Sequence, residues 1–215
     1  MSGRDTVLGR VRAALADVPA HEAPSDIDVP RDYRRATEDE RDTVLDLFVH
    51  TVRDYGATVH RVGGDELGAA LRQVVRDRGV HTMAVAPGFP EHLVSGAGVV
   101  VMRDETPMSP ASLDRADGVA TTAAVAIAET GTIALVSGAG MGRRALSLVP
   151  DVHVCVVRED QVVGTVPEAM DALAPSATRP VTLISGGSAT SDIELVRVEG
   201  VHGPRTLEVI LVADA

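Results

Sequence analysis

The stretch ATVHRVGGDELGAALRQVVRDRGVHTMAVA (residues 57–86) sets the fold class of this chain. Its two ends, residues 57–62 and 82–86, are short apolar runs typical of strands. Between them, residues 65–78 carry apolar side chains at helical spacing, and Gly79 marks the end of that predicted helix. A strand, a helix and a second strand in this order predict a parallel sheet with helices packed on its faces.

The same alternation continues toward the C-terminus. Further elements are predicted as strands at 98–102, 132–137, 151–157, 181–184 and 205–213, and as short helices at 167–173 and between residues 86 and 98. Apolar strands separated by helical patterns are typical of an α/β domain built around a mostly parallel sheet and flanked by helices.

The N-terminal part has a different character. Residues 5–18 have apolar positions at helical spacing, and residues 19–35 form a charged connector with three prolines. The sequence Thr37-Glu38-Asp39-Glu40 predicts a capping box that opens a second helix, which Gly56 closes. We therefore predict an N-terminal helical segment with its connector at 1–35 and the α/β domain at 36–215.

Composition excludes several classes of function. The chain has 215 residues and a net charge of -11, and it contains no Lys and no Asn. The lack of Lys excludes Schiff-base lysine chemistry and a P-loop. Acids outnumber arginines along the whole chain, which argues against nucleic-acid binding and against a polybasic membrane anchor. The single cysteine, Cys155, and the charged N-terminus predict a cytoplasmic protein without a secretory signal.

Glu129 stands alone in an apolar segment. It is the only ionisable residue between Gly118 and Gly142. Residues 118–140 are too interrupted by Gly and Thr for a membrane span, and we predict a buried strand–turn–strand or helix–strand element. A carboxylate there needs hydrogen bonds or a cationic partner. It is either a general base, nucleophile or ligand-orienting group, or a carboxylate that caps neighbouring backbone N–H groups.

The loop SGGSATSD (185–192) follows a predicted strand. Gly186 and Gly187 allow close approach of a ligand to the backbone, and the Ser and Thr hydroxyl groups add donors. Free N–H groups at the start of a helix favour an anion, so the loop suits a carboxylate or a phosphate. The alternative is a tight turn from strand to helix, capped by Ser191 or Asp192.

The loop GAGMGRR (138–144) is a second candidate. Its glycines match a dinucleotide-binding fingerprint poorly, because Arg143 stands where the third glycine belongs. A mobile substrate loop in which Arg143 or Arg144 clamps an anion is the better functional interpretation. A solvated loop is the alternative.

The histidines and the cysteine give weaker signals. His153 and Cys155 share one face of a predicted strand, on which a lone Cys is usually a packing residue. His202 lies in the turn GVHGPR (200–205), where contact with a ligand or a role as a base is an open alternative to a structural turn. No sequence motif of a metal site is present.

Four ordered motifs carry a resemblance to a known family: AETGTI (128–133), RALSLVPDVHV (144–154), ISGGSATSDIE (184–194) and GVHGP (200–204). Together they resemble the LUD domain of the lactate utilization protein C family. The resemblance is specific across 118–213 and extends in layout over the whole chain. It implies the fold shared by ribose-5-phosphate isomerase, glucosamine-6-phosphate deaminase and the CoA transferases.

The resemblance also implies a function. It suggests a non-redox accessory subunit of a complex that oxidises L-lactate to pyruvate, with iron–sulfur clusters held by partner subunits and none in this chain. The alternatives are a stand-alone CoA transferase- or isomerase-like enzyme that uses Glu129, and a non-catalytic module that senses a sugar phosphate or an organic acid. Gly187 and Ala189 replace the proline and the basic residue of the family pattern, which weakens the case for a highly charged phosphate.

These considerations nominate a site for a small carboxylate or phosphate. The candidate catalytic residues are Glu129 and His202, and the candidate ligand-binding residues are Thr130, Gly131, Thr132, Arg143, Arg144, Ser185, Gly186, Gly187, Ser188 and Asp192.

Overall fold

The computed structural model describes residues 2–19, 21–23, 26–190, 198–199 and 203–213, with the backbone alone for 189, 190, 198 and 199. The chain divides into two compact units, Met1–Tyr33 and Arg34–Ala215.

The first unit contains helix α1 (Gly3–Ala14), which begins and ends earlier than the predicted 5–18. Its N-terminus is a capping box, because the Ser2 hydroxyl accepts a hydrogen bond from the Asp5 N–H and the Asp5 carboxylate accepts one from the Ser2 N–H. No residue of α1 is buried. Val7 in this helix and Leu15, the residue after it, are more than half exposed.

The second unit alternates strands and helices. Its strands are β1 (Thr58–Val62), β2 (Thr82–Val85), β3 (Val100–Arg103), β4 (Gly118–Thr122), β5 (Val125–Ile127), β6 (Thr132–Val136), β7 (Val152–Arg158), β8 (Val162–Val163), β9 (Val181–Ile184), β10 (Ala189–Thr190), β11 (Val198–Glu199) and β12 (Thr206–Val212). Its helices are α2 (Arg41–Asp54), α3 (Leu67–Asp77), α4 (Glu91–Val94), α5 (Pro110–Leu113), α6 (Arg144–Leu148) and α7 (Val166–Leu173).

The main sheet has six parallel strands in the order β1-β12-β7-β4-β2-β3. A second sheet has the order β8-β5-β6-β9, in which β6 runs antiparallel to both of its neighbours. The strands β10 and β11 form a separate antiparallel pair. The predicted fold class, an α/β domain around a mostly parallel sheet flanked by helices, is confirmed.

The main sheet is covered on both faces, which explains its nearly continuous apolar strands. One cluster of buried side chains joins α2 and the second sheet to the face that carries Cys155 and Val157. Another joins α3 and α4 to the opposite face, which carries Val154 and Val156. Because strand side chains alternate, β7 contributes to both cores.

The start of α2 differs from the prediction. Glu40 is the residue before the helix, and its side chain caps nothing. The Thr37 hydroxyl accepts from the Asp39 N–H at 3.1 Å and donates to the Asp39 carboxylate at 2.8 Å. The predicted capping box is therefore wrong, because Thr37 stabilises a turn ahead of the helix. Gly56, with φ of 79°, follows the last turn of α2 as predicted.

Residues 118–140 form strands, in agreement with the strand–turn–strand alternative. β4, β5 and β6 are almost entirely buried, with β4 in the main sheet and the other two in the second sheet. Among the residues that the structure describes, no helix is long and apolar enough to cross a membrane.

Candidate ligand-binding cleft

A cleft of about 350 Å³ lies between helix α6, strand β9 and the residues that begin β7 and β12. This volume is at the small end of the roughly 300–1,000 Å³ range of small-molecule sites. The lining residues are Arg144, Ser147, Leu148, His153, Thr182, Leu183, Ile184, Ser185, Gly186, Gly187, Ser188, Gly203, Pro204 and Leu207. Of the nominated residues, Arg144 and the turn Ser185–Ser188 therefore meet in one cavity.

The glycines of this turn are required by protein packing. Gly186 has φ of 78°, and a Cβ on it would clash with the backbone oxygen of Tyr55. A Cβ on Gly187 would lie 2.5 Å from the backbone oxygen of Arg205. The sequence interpretation, that these glycines admit a ligand, is thus incomplete, because the chain itself occupies the space beside them.

Hydroxyl groups connect this turn to the Thr130–Thr132 segment. The Thr130 hydroxyl donates to the Thr132 hydroxyl at 2.8 Å, and the Thr132 and Ser185 hydroxyl oxygens are 2.8 Å apart. Gly131 packs on α2, since a Cβ there would lie 2.9 Å from the backbone carbon of Thr51. These three nominated residues do not line the cleft, and of the three Thr132 contacts Ser185 at its edge.

Glu129 lies outside the cleft. One carboxylate oxygen accepts a hydrogen bond from the Val166 N–H at 2.9 Å, at the start of α7, and the other is 3.1 Å from the Arg34 guanidinium. An acid at a helix N-terminus satisfies a free N–H and interacts favourably with the helix dipole. The contacts of Glu129 are those of the capping alternative, and they give no support to the predicted catalytic role.

The Gly138–Gly142 loop closes on itself. Gly138 and Gly142 exchange two backbone hydrogen bonds, of 2.9 and 2.6 Å. The Gly140 N–H donates to the Pro87 carbonyl at 2.8 Å, and the Gly140 carbonyl accepts from the Thr122 N–H at 3.0 Å. This network gives no support to the interpretation of a mobile substrate loop.

The two arginines after this loop have different environments. The Arg143 guanidinium makes two hydrogen bonds to the Asp104 carboxylate, at 2.8 and 3.1 Å, and one to the Met108 carbonyl at 2.6 Å. It does not line the cleft and serves to neutralise the buried Asp104. Arg144 lines the cleft, and no partner of its guanidinium lies among the described residues.

His153 is a cleft residue that the sequence interpretation did not nominate. It is 1% exposed, and its Nε2 is 2.8 Å from the Thr121 hydroxyl oxygen. Burial lowers the pKa of His153 to about 4, so the imidazole is neutral near pH 7. Because side chains alternate along β7, His153 lies on the same face as the buried Cys155. The sequence pattern therefore did not reveal that His153 also lines the cleft.

Cys155 lies deeper on the same face. Its Sγ accepts from the Thr121 hydroxyl at 3.7 Å, and the residue is fully buried. Burial raises the pKa of the Cys155 thiol to about 12. A neutral, buried thiol is a packing residue, in agreement with the sequence interpretation.

Two nominated residues, Asp192 and His202, lie outside the described residues. Within the described part of the chain, no group of three or more His, Cys, Asp or Glu side chains is placed to hold a metal ion.

The fold and the cleft define an α/β protein with a site of small-molecule size. Residues 45–212 match the LUD domain family. The chain is 53% identical over 174 residues to "Lactate utilization protein C" of Deinococcus radiodurans, covering 80% of this chain and 81% of that protein. It is 34% identical over 96 residues to the protein of the same name in Bacillus subtilis (strain 168), covering 42% and 40%.

A solved structure agrees with these matches. The crystal structure of a DUF162 family protein from Deinococcus radiodurans superimposes with a TM-score of 0.70 at 46% sequence identity, covering 80% of this chain and 98% of that one. This chain belongs to the LUD domain family.

Proposed function

We propose that this chain takes part in lactate utilization as a non-redox subunit of an L-lactate-oxidising complex whose partner subunits hold iron–sulfur clusters. The similarity to "Lactate utilization protein C" of Deinococcus radiodurans supports the pathway, because 53% identity extends over 80% of the chain. In this proposal the cleft binds a small carboxylate.

The observation that carries the ligand assignment is the charge of the cleft. Among the described residues that line the cleft, Arg144 is the one cation, and no acidic partner of its guanidinium lies in this part of the chain. His153 is neutral near pH 7 and adds no charge. A single guanidinium matches the one negative charge of a monocarboxylate better than the two of a phosphate monoester.

The cysteine count supports the placement of the iron–sulfur clusters in partner subunits. Iron–sulfur clusters are held by several cysteine thiolates, and this chain has one cysteine, whose thiol is buried and neutral. Electrons from lactate would therefore pass to clusters in other subunits.

Reconstitution tests the proposal. The full chain is co-expressed with candidate iron–sulfur subunits from the same organism, and lactate-dependent reduction of an artificial acceptor is measured with and without the chain. We expect copurification, and at least a tenfold lower rate when the chain is omitted. Undiminished activity without the chain would overturn the proposal.

The alternative of a CoA transferase-like enzyme depends on Glu129. Its carboxylate is occupied by Arg34 and the Val166 N–H and lies outside the cleft. Incubation with acyl-CoA followed by hydroxylamine would label Glu129 in a transferase, and we expect no label. Binding of an organic acid without any contribution to lactate oxidation would instead favour the sensing module.

A further inference from the structure

Helix α1 carries an exposed apolar stripe, formed by Val7, Leu8 and Val11 of the helix and by Leu15 directly after it. Spacings of three, four and seven residues place these side chains on one face of a helix. Val7 is 59% exposed and Leu15 is 55% exposed, and no residue of α1 is buried. Covering this stripe would therefore remove apolar surface from water.

The helix is also short for one that buries nothing. It has 12 residues, and isolated helices shorter than about 12–15 residues are marginal in water, because packing of an apolar face supplies most helical stability in proteins. The capping box of Ser2 and Asp5 stabilises the first turn but leaves the apolar stripe exposed. A capped helix with an exposed apolar stripe is suited to pairing with a second helix.

The charges beside the apolar stripe indicate which helix this is. Asp5 and Arg12 are seven residues apart and so lie on the same flank of the stripe. With Leu8 and Leu15 at heptad position a and Val11 at d, both charges fall at position e. A two-fold axis across an antiparallel pair of identical helices places each flank beside the same flank of the second copy. Asp5 of either copy then faces Arg12 of the other.

The other contacts of this register are apolar. Leu8 of one copy packs against Val11 of the other at the centre of the pair. On the opposite flank, Val7 of one copy meets Ala14 of the other, and both side chains are uncharged. In a parallel pair, position e would instead meet position g, where Val7 and Ala14 offer Arg12 no partner. The charges therefore favour the antiparallel arrangement.

Both charged groups are available for the contact. The Asp5 carboxylate bonds to the N–H and the hydroxyl of Ser2 through Oδ2 alone, at 3.0 and 2.8 Å, which leaves Oδ1 for a guanidinium. Arg12 makes no ion pair within the part of the chain that the structure describes. An ion pair between copies would thus break no contact that either group makes within its own chain.

We propose that two copies of this chain associate through an antiparallel pair of α1 helices, with the apolar stripe at the centre and two reciprocal Asp5–Arg12 ion pairs on one flank. Two helices of this length bury less surface than a standard protein interface, so the association is weak and depends on concentration. The proposal is independent of the cleft and of lactate, and its failure would leave the proposed function untouched.

Sedimentation velocity of the full chain alone at pH 7 tests the association. We expect the average mass to rise from that of one chain toward that of two between about 5 and about 500 μM, as in a weak, transient contact. The mass of a single chain throughout this range would overturn the proposal and leave a different protein as the occupant of the apolar stripe.

Leu8→Ala tests the centre of the pair. It removes a large side chain from both copies but keeps every charge and introduces a strong helix former. We expect the dimer to dissociate about tenfold more readily, because both Leu8–Val11 contacts are lost. An unchanged dissociation constant would show that the apolar stripe is not the contact surface.

Charge reversal tests the antiparallel register. In Asp5→Arg, and separately in Arg12→Glu, both ion pairs become like-charge contacts, so each variant alone should dimerise about tenfold more weakly than wild type. When the two variants are mixed, each contact in the mixed dimer again joins opposite charges. We expect the mixture to associate about tenfold more tightly than either variant alone. Helix fraying cannot produce this rescue, because each variant keeps its own substitution.

Arg10→Glu is the matched control. Arg10 lies on the same helix at heptad position c, away from the apolar stripe, and its replacement changes the net charge as Arg12→Glu does. We expect its dissociation constant to stay within about twofold of wild type. Equal weakening by the two arginine variants, or a mixture that associates no more tightly than its components, would show that the proposed pairing is wrong.

Discussion

Two glycine-rich loops of the second unit occupy similar positions after a strand but differ in their tertiary contacts. Each follows a strand of the second sheet, but the Gly138–Gly142 loop closes on itself while the Ser185–Ser188 turn borders the cleft. The arginines that follow the first loop repeat the contrast, since Arg143 neutralises Asp104 and Arg144 faces the cleft. Residue type alone therefore does not separate a loop that closes on itself from one that borders a cleft, because the tertiary neighbours of each loop determine its environment.

The strongest test of this comparison replaces each arginine. We expect Arg143→Ala to lower the free energy of unfolding by about 3 kcal/mol, because it leaves the buried Asp104 without its cation. Arg144→Ala should change it by less than about 0.5 kcal/mol. Urea unfolding at pH 7 measures both, and equal losses would show that the two arginines are not distinct.

Acid titration sharpens the contrast between the charged Arg143–Asp104 pair and the neutral cleft. The unfolded chain protonates His153 below pH 6.5, whereas burial lowers the folded-state pKa to about 4. The stability that depends on neutral His153 is therefore complete above pH 6.5 and declines as the pH falls toward 4.

The matched variant for this titration is His153→Gln, which cannot protonate at that position. We expect the wild type to lose about 2–3 kcal/mol more stability than the variant between pH 7 and pH 4. Urea unfolding at several pH values gives the two profiles, and parallel profiles would show that His153 is not buried as described.

A pair of glycine substitutions tests whether packing holds the Ser185–Ser188 turn in place. Gly186 and Gly96 have nearly the same φ, 78° and 79°, but a Cβ on Gly186 meets the Tyr55 backbone while one on Gly96 meets open space. We expect Gly186→Ala to cost about 2–3 kcal/mol and Gly96→Ala about 1 kcal/mol. Thermal and urea unfolding measure the loss of stability in each variant, and equal losses would leave backbone strain as their sole cause.

The smallest effect is expected at Glu129. Glu129→Gln keeps an oxygen for the Val166 N–H and loses the exposed ion pair with Arg34, so stability should fall by less than about 1 kcal/mol. Lactate-dependent activity of the reconstituted complex should stay within twofold of wild type. A hundredfold loss of activity in the folded variant would instead support a catalytic role for Glu129.

Local pattern predicted most of the fold. Apolar runs and glycine ends located α3 and five of the six strands of the main sheet within a few residues, because burial on both faces leaves a clear signal. The sixth, β4, lies in the 118–140 segment, for which a helix–strand element was an open alternative. The two-residue strand β8 and the five-residue helix α6 were missed, since elements so short carry no periodicity.

The site was predicted in part, and the errors share one cause. The sequence identified Arg144 and the Ser185–Ser188 turn, but it marked Glu129 as isolated without revealing Arg34, 95 residues away, as its partner. It passed over His153, the second residue of β7, which alternates with valines as a core residue would. Both errors concern contacts between distant segments, which residue spacing does not encode.

Cys155 makes the chain unusually convenient for site-directed labelling. Its thiol is buried and neutral, and the sequence has no lysine, so maleimides and amine-directed esters would find few targets in the folded wild type. A cysteine introduced at Leu183, a cleft residue that is 59% exposed, would then be a single reactive thiol. A fluorophore attached there would report from the rim of the cleft, with almost no background, on both ligand entry and subunit assembly.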